Sequence, residues 1–338
     1  MRPRIAMLCC GLLAAPAATW AETPMSYQRT FGPAVDPVTR LAWGLGTVSL
    51  VVIVVIGVLL LGSLLRRRDA ADGDSGQLAV RHDGGGMAWI YVGSGISLVV
   101  LTGCMVWTLI VTAAVARPPS PPLLTVQVTA SQWWWGLRYQ GAQPDRTFTT
   151  ANEIHIPVGQ PIRFELASAD VVHSFWIPQL AGKMDVIPGQ TNVLWLQANK
   201  PGTYRGQCAA YCGVQHAHMA IFLVAESAQD FAAWQNHQLA ETPMPVSDSD
   251  RRGEEVFQGH CAVCHTIRGT GSAGHVGPDL THLMTRGTIA AGLLPNTPGT
   301  LAAWIANPGS LKPGTHMPAQ VLSGSELKAV TSYLTTLN

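Results

Sequence analysis

Charge is what this 338-residue chain has least of: Asp, Glu, Lys and Arg make up 12 % of it, about half the usual share. The formal net charge is only +1, so no broad field is available to hold nucleic acid, and no nucleic-acid partner is expected. A disulfide framework is also missing. Of seven cysteines, Cys9 and Cys10 fall in an N-terminal export signal and Cys104 stands alone in an apolar run, where it packs as a small hydrophobe. The other four form two short-range pairs, Cys208 with Cys212 and Cys261 with Cys264, so no structural disulfide is expected even in an oxidising compartment. Charge is absent altogether from residues 41–65 and 88–116. At about 1.5 Å per residue the shorter run reaches about 37 Å as a helix, more than a hydrocarbon core of about 30 Å requires. Both runs are predicted to cross a membrane.

Residues 1–21 read as a secretory signal, with Arg2 and Arg4 ahead of an apolar stretch from Ile5 to Ala18 and small residues near Ala21. The alternative is a first membrane helix, but the run is short and contains Pro16. Arg66, Arg67, Arg68 and Arg81 lie between the two spans and place that loop in the cytoplasm. The mature N-terminus and everything after Arg117 are then outside. The spans carry few polar residues, so they suit an anchor and docking surface and not a channel.

From Leu123 the pattern changes to alternation. Val126 and Val128, Ile154 and Ile156, and Ile162, Phe164 and Leu166 recur at every second position. Turns at Pro157–Pro161 and Asn199–Gly202 separate such runs, which predicts a β-sandwich or barrel over residues 118–238. Residues 239–250 read as a linker, and residues 251–338 as a further domain ending in a helix with Leu327, Val330, Leu334 and Leu337 on one face.

Two motifs carry chemistry. Cys208, Cys212, His216 and Met219 follow one another at spacings of four, four and three, with His173 upstream. Thiolates, imidazole and thioether together suit copper, and two cysteines in one loop can bridge two ions. Structural zinc takes four ligands and does not favour methionine, and a thiol–disulfide pair has no use for His173, His216 or Met219. His218 alternates with the ligand positions and is expected at the surface or behind a ligand. The second motif, Cys261-Ala-Val-Cys264-His265, is the covalent haem attachment signature. No second cysteine pair follows to complete a zinc site. Met317, Met284, His316, His275 and His282 are the candidates for the sixth iron ligand. A copper loop and a haem in one chain point to electron transfer.

His173-Ser-Phe-Trp-Ile-Pro, Lys183-Met-Asp-Val-Ile-Pro-Gly and the cysteine loop resemble subunit II of haem–copper oxidases. The resemblance implies a cupredoxin-like β-sandwich with the binuclear copper centre CuA. His173 and His216 would each bind one copper, Cys208 and Cys212 would bridge both, Met219 would be a weak ligand and Ala210 would offer its carbonyl. Gln132-Trp133-Trp134-Trp135 is similar to the family's aromatic strand, with Trp133 as the residue through which electrons enter. The alternative is a buried sandwich tryptophan; because side chains alternate along a strand, at least one of the three should lie near the surface. Gly314-Thr-His-Met317-Pro resembles the distal methionine loop of class I cytochromes c, and Gly277-Pro-Asp-Leu the segment that supports the proximal histidine. Met317 with His265 would give a high potential.

The family implied is a caa-type cytochrome c oxidase, whose subunit II is fused to a cytochrome c domain. The expected fold is a membrane-anchored multidomain chain: two transmembrane α-helices, a cupredoxin-like β-sandwich and an all-α class I cytochrome c domain. The expected place is a bacterial inner membrane. Electrons would arrive at haem c from a cytochrome c or a quinol–cytochrome c reductase, pass to CuA and continue to a haem in subunit I, where oxygen is reduced to water. Subunit III is a further expected partner. The tether would hold the two centres at high effective concentration. Two departures stand out. Relatives often carry glutamate at the position of Ala210, reaching a magnesium ion, and another glutamate just before the tryptophan that opens the second span, where Ala88 precedes Trp89 here. Alternatives are the electron-transfer subunit of a CuA-type nitric oxide reductase and a membrane-anchored copper chaperone, which rarely carries covalent haem.

Overall fold

The structure, a computed structural model, describes residues 25–65, 86–141, 144–242 and 244–338. The expected export signal and the arginine-bearing loop lie outside the described residues. Helix α1 spans Asp36–Leu65 and α2 spans Gly86–Val115. α1 starts at Asp36 and not at residue 41: the Asp36 carboxylate accepts the Gly32 N–H at 3.2 Å, and Pro37 sits in the first turn, where its missing N–H costs nothing. The two helices meet where Gly44 lets the Trp107 ring in; a Cβ there would lie 2.2 Å from it. Ile53, Leu59, Leu98, Leu101 and most of their neighbours face outward. Both helices are long and apolar enough to cross a membrane, and hydrocarbon can cover such a surface because the helical backbone bonds itself.

The sandwich holds the outer ends of both helices. Trp195 Nε1 donates to the Val115 carbonyl at 3.0 Å, satisfying one of the acceptors that the end of α2 leaves open. Ahead of α1, the Phe31 N–H donates to Gln179 and the Phe31 carbonyl accepts from Asn199, at 2.9 and 2.7 Å. Gly32 lies so close that a Cβ would meet the Gln197 carbonyl oxygen at 2.3 Å. Residues 25–35 and the sandwich are therefore on the same side of the two helices.

Ten strands build the sandwich: β1 Thr125–Ser131, β2 Trp134–Gln140, β3 Phe148–Ala151, β4 Glu153–Pro157, β5 Ile162–Ser168, β6 His173–Phe175, β7 Met184–Val186, β8 Asn192–Leu196, β9 Gly202–Gln207 and β10 Ala220–Glu226. One sheet runs β3-β2-β1-β5-β8, the other β4-β10-β9, and β6 pairs with β7. Val126, Val128 and Ala130 of β1 and Trp135, Leu137 and Tyr139 of β2 point inward and are buried, the period-two pattern of a sheet with one covered face. Asn152 turns the chain from one sheet to the other. Its φ of 61° lies in the left-handed region that Asn tolerates. Its N–H and Oδ1 pair with the Trp135 backbone at 3.0 and 2.9 Å, and its carbonyl accepts the Phe222 N–H at 3.0 Å.

Helix α3, Ala228–Leu239, closes the sandwich with Phe231, Trp234 and Leu239 and is an element the alternation did not predict. Beyond it, α4 Asp248–His260, α5 Pro298–Ala306, α6 Pro308–Leu311 and α7 Gly324–Thr335 form the C-terminal domain. α4 crosses α7 closely because Gly253 carries no Cβ, which would fall 2.2 Å from the Ala329 carbonyl oxygen. Val256, Phe257, Val330, Tyr333 and Leu334 fill the contact. The domain is helical but also contains two short ladders, Thr266–Ile267 with Ser272–Ala273 and Thr288–Ile289 with Leu294–Pro295.

His155 packs between the sandwich and α3. Its ring stacks on Trp234 at 4.3 Å, Nδ1 faces Glu226 at 3.0 Å and Nε2 faces Glu153 at 3.3 Å. Burial pulls its pKa down, but the hydrogen bonds to Glu153 and Glu226 outweigh this and hold it above the ordinary value. A raised pKa contributes stability that is complete below about pH 6.5 and is lost as pH rises through the folded-state value. His155→Gln should lower unfolding stability by about 1–3 kcal/mol at pH 6 and flatten its decline above neutrality, checked by calorimetry across pH.

Candidate metal and haem centres

β9 and β10 are antiparallel neighbours, and residues 208–219 are the loop between them. Cys208 N–H to Met219 carbonyl closes the loop at 3.0 Å, and Ala209 N–H to Ser174 carbonyl joins it to β6 at 2.9 Å. His173, the first residue of β6, is thereby placed beside the loop. Cys208 Sγ lies 3.7 Å from Cys212 Sγ, 3.8 Å from His173 Nδ1 and 3.2 Å from the Ala210 carbonyl oxygen. Cys212 Sγ lies 3.6 Å from His216 Nδ1 and 3.9 Å from Met219 Sδ. All six expected donors are therefore in one cluster. His173, Cys208, Cys212 and Met219 are buried, while His216 is half-buried. The sulfur separation of 3.7 Å is far beyond a disulfide bond of about 2.05 Å.

Two buried thiols this close cannot both ionise unaided. The hydrogen bond from Cys212, followed by that from His173, draws Cys208 down to about 3 against the opposing effect of burial. The same contact with Cys208, together with burial, pushes Cys212 strongly upward. Cations between the sulfurs remove the conflict, and a thioether with two imidazoles as co-donors matches copper better than zinc. The donor set fits the metal.

Asp170, which sequence reading passed over, supports this cluster. Its Oδ1 accepts from His173 Nε2 at 2.8 Å and its Oδ2 from the Gln132 N–H at 2.6 Å. The first bond turns His173 Nδ1 toward the sulfurs. The second fixes the Gln132–Trp133 turn, since Ser131 pairs with Trp134 and these two residues form the link between β1 and β2. The aromatic run is thus not a single strand. Trp135 is buried against His173 and Phe175, Trp134 is half-buried, and Trp133 lies on the turn. Trp133 Nε1 and Gln132 Nε2 both donate to the Cys212 carbonyl, at 3.0 and 2.7 Å. Trp133 is only 6 % exposed because the C-terminal domain covers it, with the His316 ring 5.9 Å away. His218 is exposed, its Nδ1 facing Gln215 Oε1 at 2.7 Å.

α4 ends at Cys261, whose carbonyl accepts the Cys264 and His265 N–H groups at 3.0 Å each. Cys261, Cys264, His265, His316 and Met317 line one cavity of about 430 Å³, and Trp133 and Asp170 of the sandwich contribute to its wall. His265 Nδ1 donates to the Pro278 carbonyl at 2.8 Å, leaving Nε2 for a ligand. Gly277 backs the ring so closely that a Cβ would lie 2.6 Å from it. Burial holds His265 below its ordinary pKa, in the neutral form that binds metal. Of the five candidates for the sixth ligand, Met317 and His316 line the cavity. His282 is engaged by the Asn338 and Ala240 carbonyls, His275 faces Thr266, and Met284 packs in the domain core. Arg286, buried in the same wall with its Nε unpartnered, offers a cation to an acidic ligand edge, as haem presents. The cavity fits the group.

Residues 141–226 match the sequence model of the cytochrome c oxidase subunit II periplasmic domain, and residues 250–338 match that of cytochrome c. Cytochrome c oxidase subunit 2 of Alkalihalophilus pseudofirmus is 40 % identical over 214 residues, 63 % of this chain and 60 % of the relative. Over these segments the chain is similar to cytochrome c oxidase subunit II and to cytochrome c. The subunit 2 of Bacillus sp. strain PS3 is 31 % identical over 226 residues, covering 63 % of this chain and 62 % of that one. The chain thus spans about three fifths of the length of these curated relatives. Among solved structures, the periplasmic domain of cytochrome oxidase subunit II of Bradyrhizobium japonicum is 31 % identical, covering 35 % of this chain and 95 % of that one, with a TM-score of 0.33. A subunit II domain implies copper, and a cytochrome c domain implies haem.

The Asp170 contact has a measurable consequence for the cysteine cluster. Asp170→Ala should weaken copper binding by about 10–100-fold, because His173 loses the partner that orients it. Chelator-competition titration of the full chain measures this; an unchanged affinity would show that the fold alone aims His173.

Proposed function

We propose that the chain is the electron-input subunit of a caa-type respiratory terminal oxidase in a bacterial inner membrane, with both soluble domains on its outer face. The observation that carries this reading is Trp133. Its indole nitrogen is bonded to the carbonyl of Cys212 in the metal cluster, and its ring forms part of the wall of the haem cavity. When bound, a copper pair and a covalent haem supply reversible one-electron chemistry.

Cys208, Cys212, His173, His216, Met219 and the Ala210 carbonyl would hold the copper pair. Cys261 and Cys264 would hold the haem through thioethers, and His265 and Met317 would supply its iron ligands. The short loop and β6 hold the copper donors in nearly fixed positions, so little rearrangement accompanies a change of charge. Burial of both sulfurs excludes water from them. The chain would accept electrons at the residue 261–265 site from a cytochrome c or a quinol–cytochrome c reductase. It would release them from the residue 208–219 site to subunit I, where oxygen is reduced to water, with subunit III as a further neighbour. With alanine at position 210, no carboxylate there reaches toward a magnesium ion.

Electron paramagnetic resonance of the full chain, loaded with copper and haem, tests this. Two coppers sharing one unpaired electron beside one low-spin haem are expected; a single ordinary copper, or zinc, sinks the reading. Cys212→Ser should abolish the shared-electron signal, because a hydroxyl does not bridge as a thiolate does. Met317→Ala should keep the haem attached and lower its potential, with a changed oxidised spectrum; an unchanged spectrum would assign the sixth position to His316.

A further inference from the structure

The C-terminal domain inserts a lysine side chain into the sandwich. Lys312, just after α6, is 2 % exposed. Its Nζ donates to three carbonyls: Trp133 at 2.8 Å, His218 at 2.8 Å and Ala290 at 2.9 Å. An ammonium has three protons, so the group is fully satisfied without a carboxylate. Two of the acceptors belong to the copper side, one on the Gln132–Trp133 turn and one on the cysteine loop. The third belongs to its own domain, in the run Ala290, Ala291, Gly292, whose φ values of 55°, 59° and 82° are all left-handed.

For two alanines that conformation is strained, and such strain persists where the surroundings fix it. Here it aims successive carbonyls at the interface: Ala290 at Lys312, and Ala291 at the Ala220 N–H at 3.0 Å. Gly292 lets this run approach the sandwich, since a Cβ there would fall 2.8 Å from that of Ala220. Gln215 Nε2 to the Pro313 carbonyl at 2.7 Å and Gly287 N–H to Glu153 at 3.0 Å extend the contact. An ammonium buried this deeply is tolerated only while all its acceptors stay in place, so the contact favours one fixed docking geometry.

Resting on the electron-transfer reading above, we propose that Lys312 is a positioning residue that locks the haem-binding domain over the Gln132–Trp133 turn. The copper site is then supplied from inside the chain, and Trp133 is closed to an external donor, which must dock on the C-terminal domain. Each transfer moves one electron from the haem side to the copper side, and no bond is made or broken.

The full chain, loaded with copper and haem in detergent, is reduced at the haem by a flash-activated small-molecule reductant, and the arrival of the electron at copper is followed optically. In the native protein the transfer should be first-order and independent of added glycerol. Lys312→Met keeps the stem without the charge. It should retain both metal spectra, slow the transfer by about tenfold or more and make it viscosity-dependent, as redocking on the microsecond-to-millisecond scale enters the step. A viscosity-dependent native rate overturns the proposal, and so does an unchanged, viscosity-independent rate in the variant. If the variant does not assemble, the native glycerol series decides alone. Amide exchange at Ala220, read without metals, keeps this test separate from the copper assignment. Protection in the native chain and its loss in Lys312→Met are expected; rapid native exchange overturns the lock.

Discussion

Two buried sulfur atoms 3.7 Å apart are the constraint around which the rest of the copper-side structure is arranged. Apolar surroundings disfavour a thiolate, and a second thiolate beside the first is disfavoured further. The fold nevertheless holds Cys208 and Cys212 in place by joining the ends of their loop to two paired strands and Ala209, its second residue, to β6. Cations between the two sulfurs relieve that conflict. The imidazoles, the thioether and the Ala210 carbonyl then surround the sulfurs as donors suited to a soft metal. The sandwich matters to function mainly because it keeps these donors from drifting.

The same loop also connects the two domains. The Cys212 carbonyl accepts from both Gln132 and Trp133, so the backbone of a proposed copper ligand is bonded to the turn that lines the cavity beside Cys261 and His265. Asp170 reaches that turn from the other direction while holding His173. Lys312 caps the Trp133 carbonyl from the C-terminal domain. Turn, cluster and cavity wall therefore share one hydrogen-bond network, and a displacement in one is felt in the others.

The parts of this arrangement that sequence reading identified are those carried on contiguous chain. Cys208 to Met219 and Cys261 to His265 declare themselves because their spacing alone limits the chemistry. The two helices declare themselves by the absence of charge. Asp170 does not, because an acid three residues before a histidine looks like any solvated acid. Lys312 is a single lysine between Leu311 and Pro313, and its significance comes from three carbonyls distant in sequence. Trp133 could be named but not placed, since its burial depends on a domain that begins more than a hundred residues later. α3 escaped because its apolar residues are few and complete a core made mostly by strands. Local pattern reports local geometry, whereas docking contacts are written in no single stretch of chain.

The sandwich grips both apolar helices, through the Val115 carbonyl at the end of one and the Phe31–Gly32 segment ahead of the other. Two attachment points remove the freedom to swivel that one would leave. In a membrane crossed by both helices, the cysteine cluster would have a set height above the bilayer and a set compass bearing around its normal. On the proposed electron-input reading, and because tunnelling falls steeply with distance, such a mount would make the gap to a neighbouring subunit a property of the anchor's geometry and not of chance encounters.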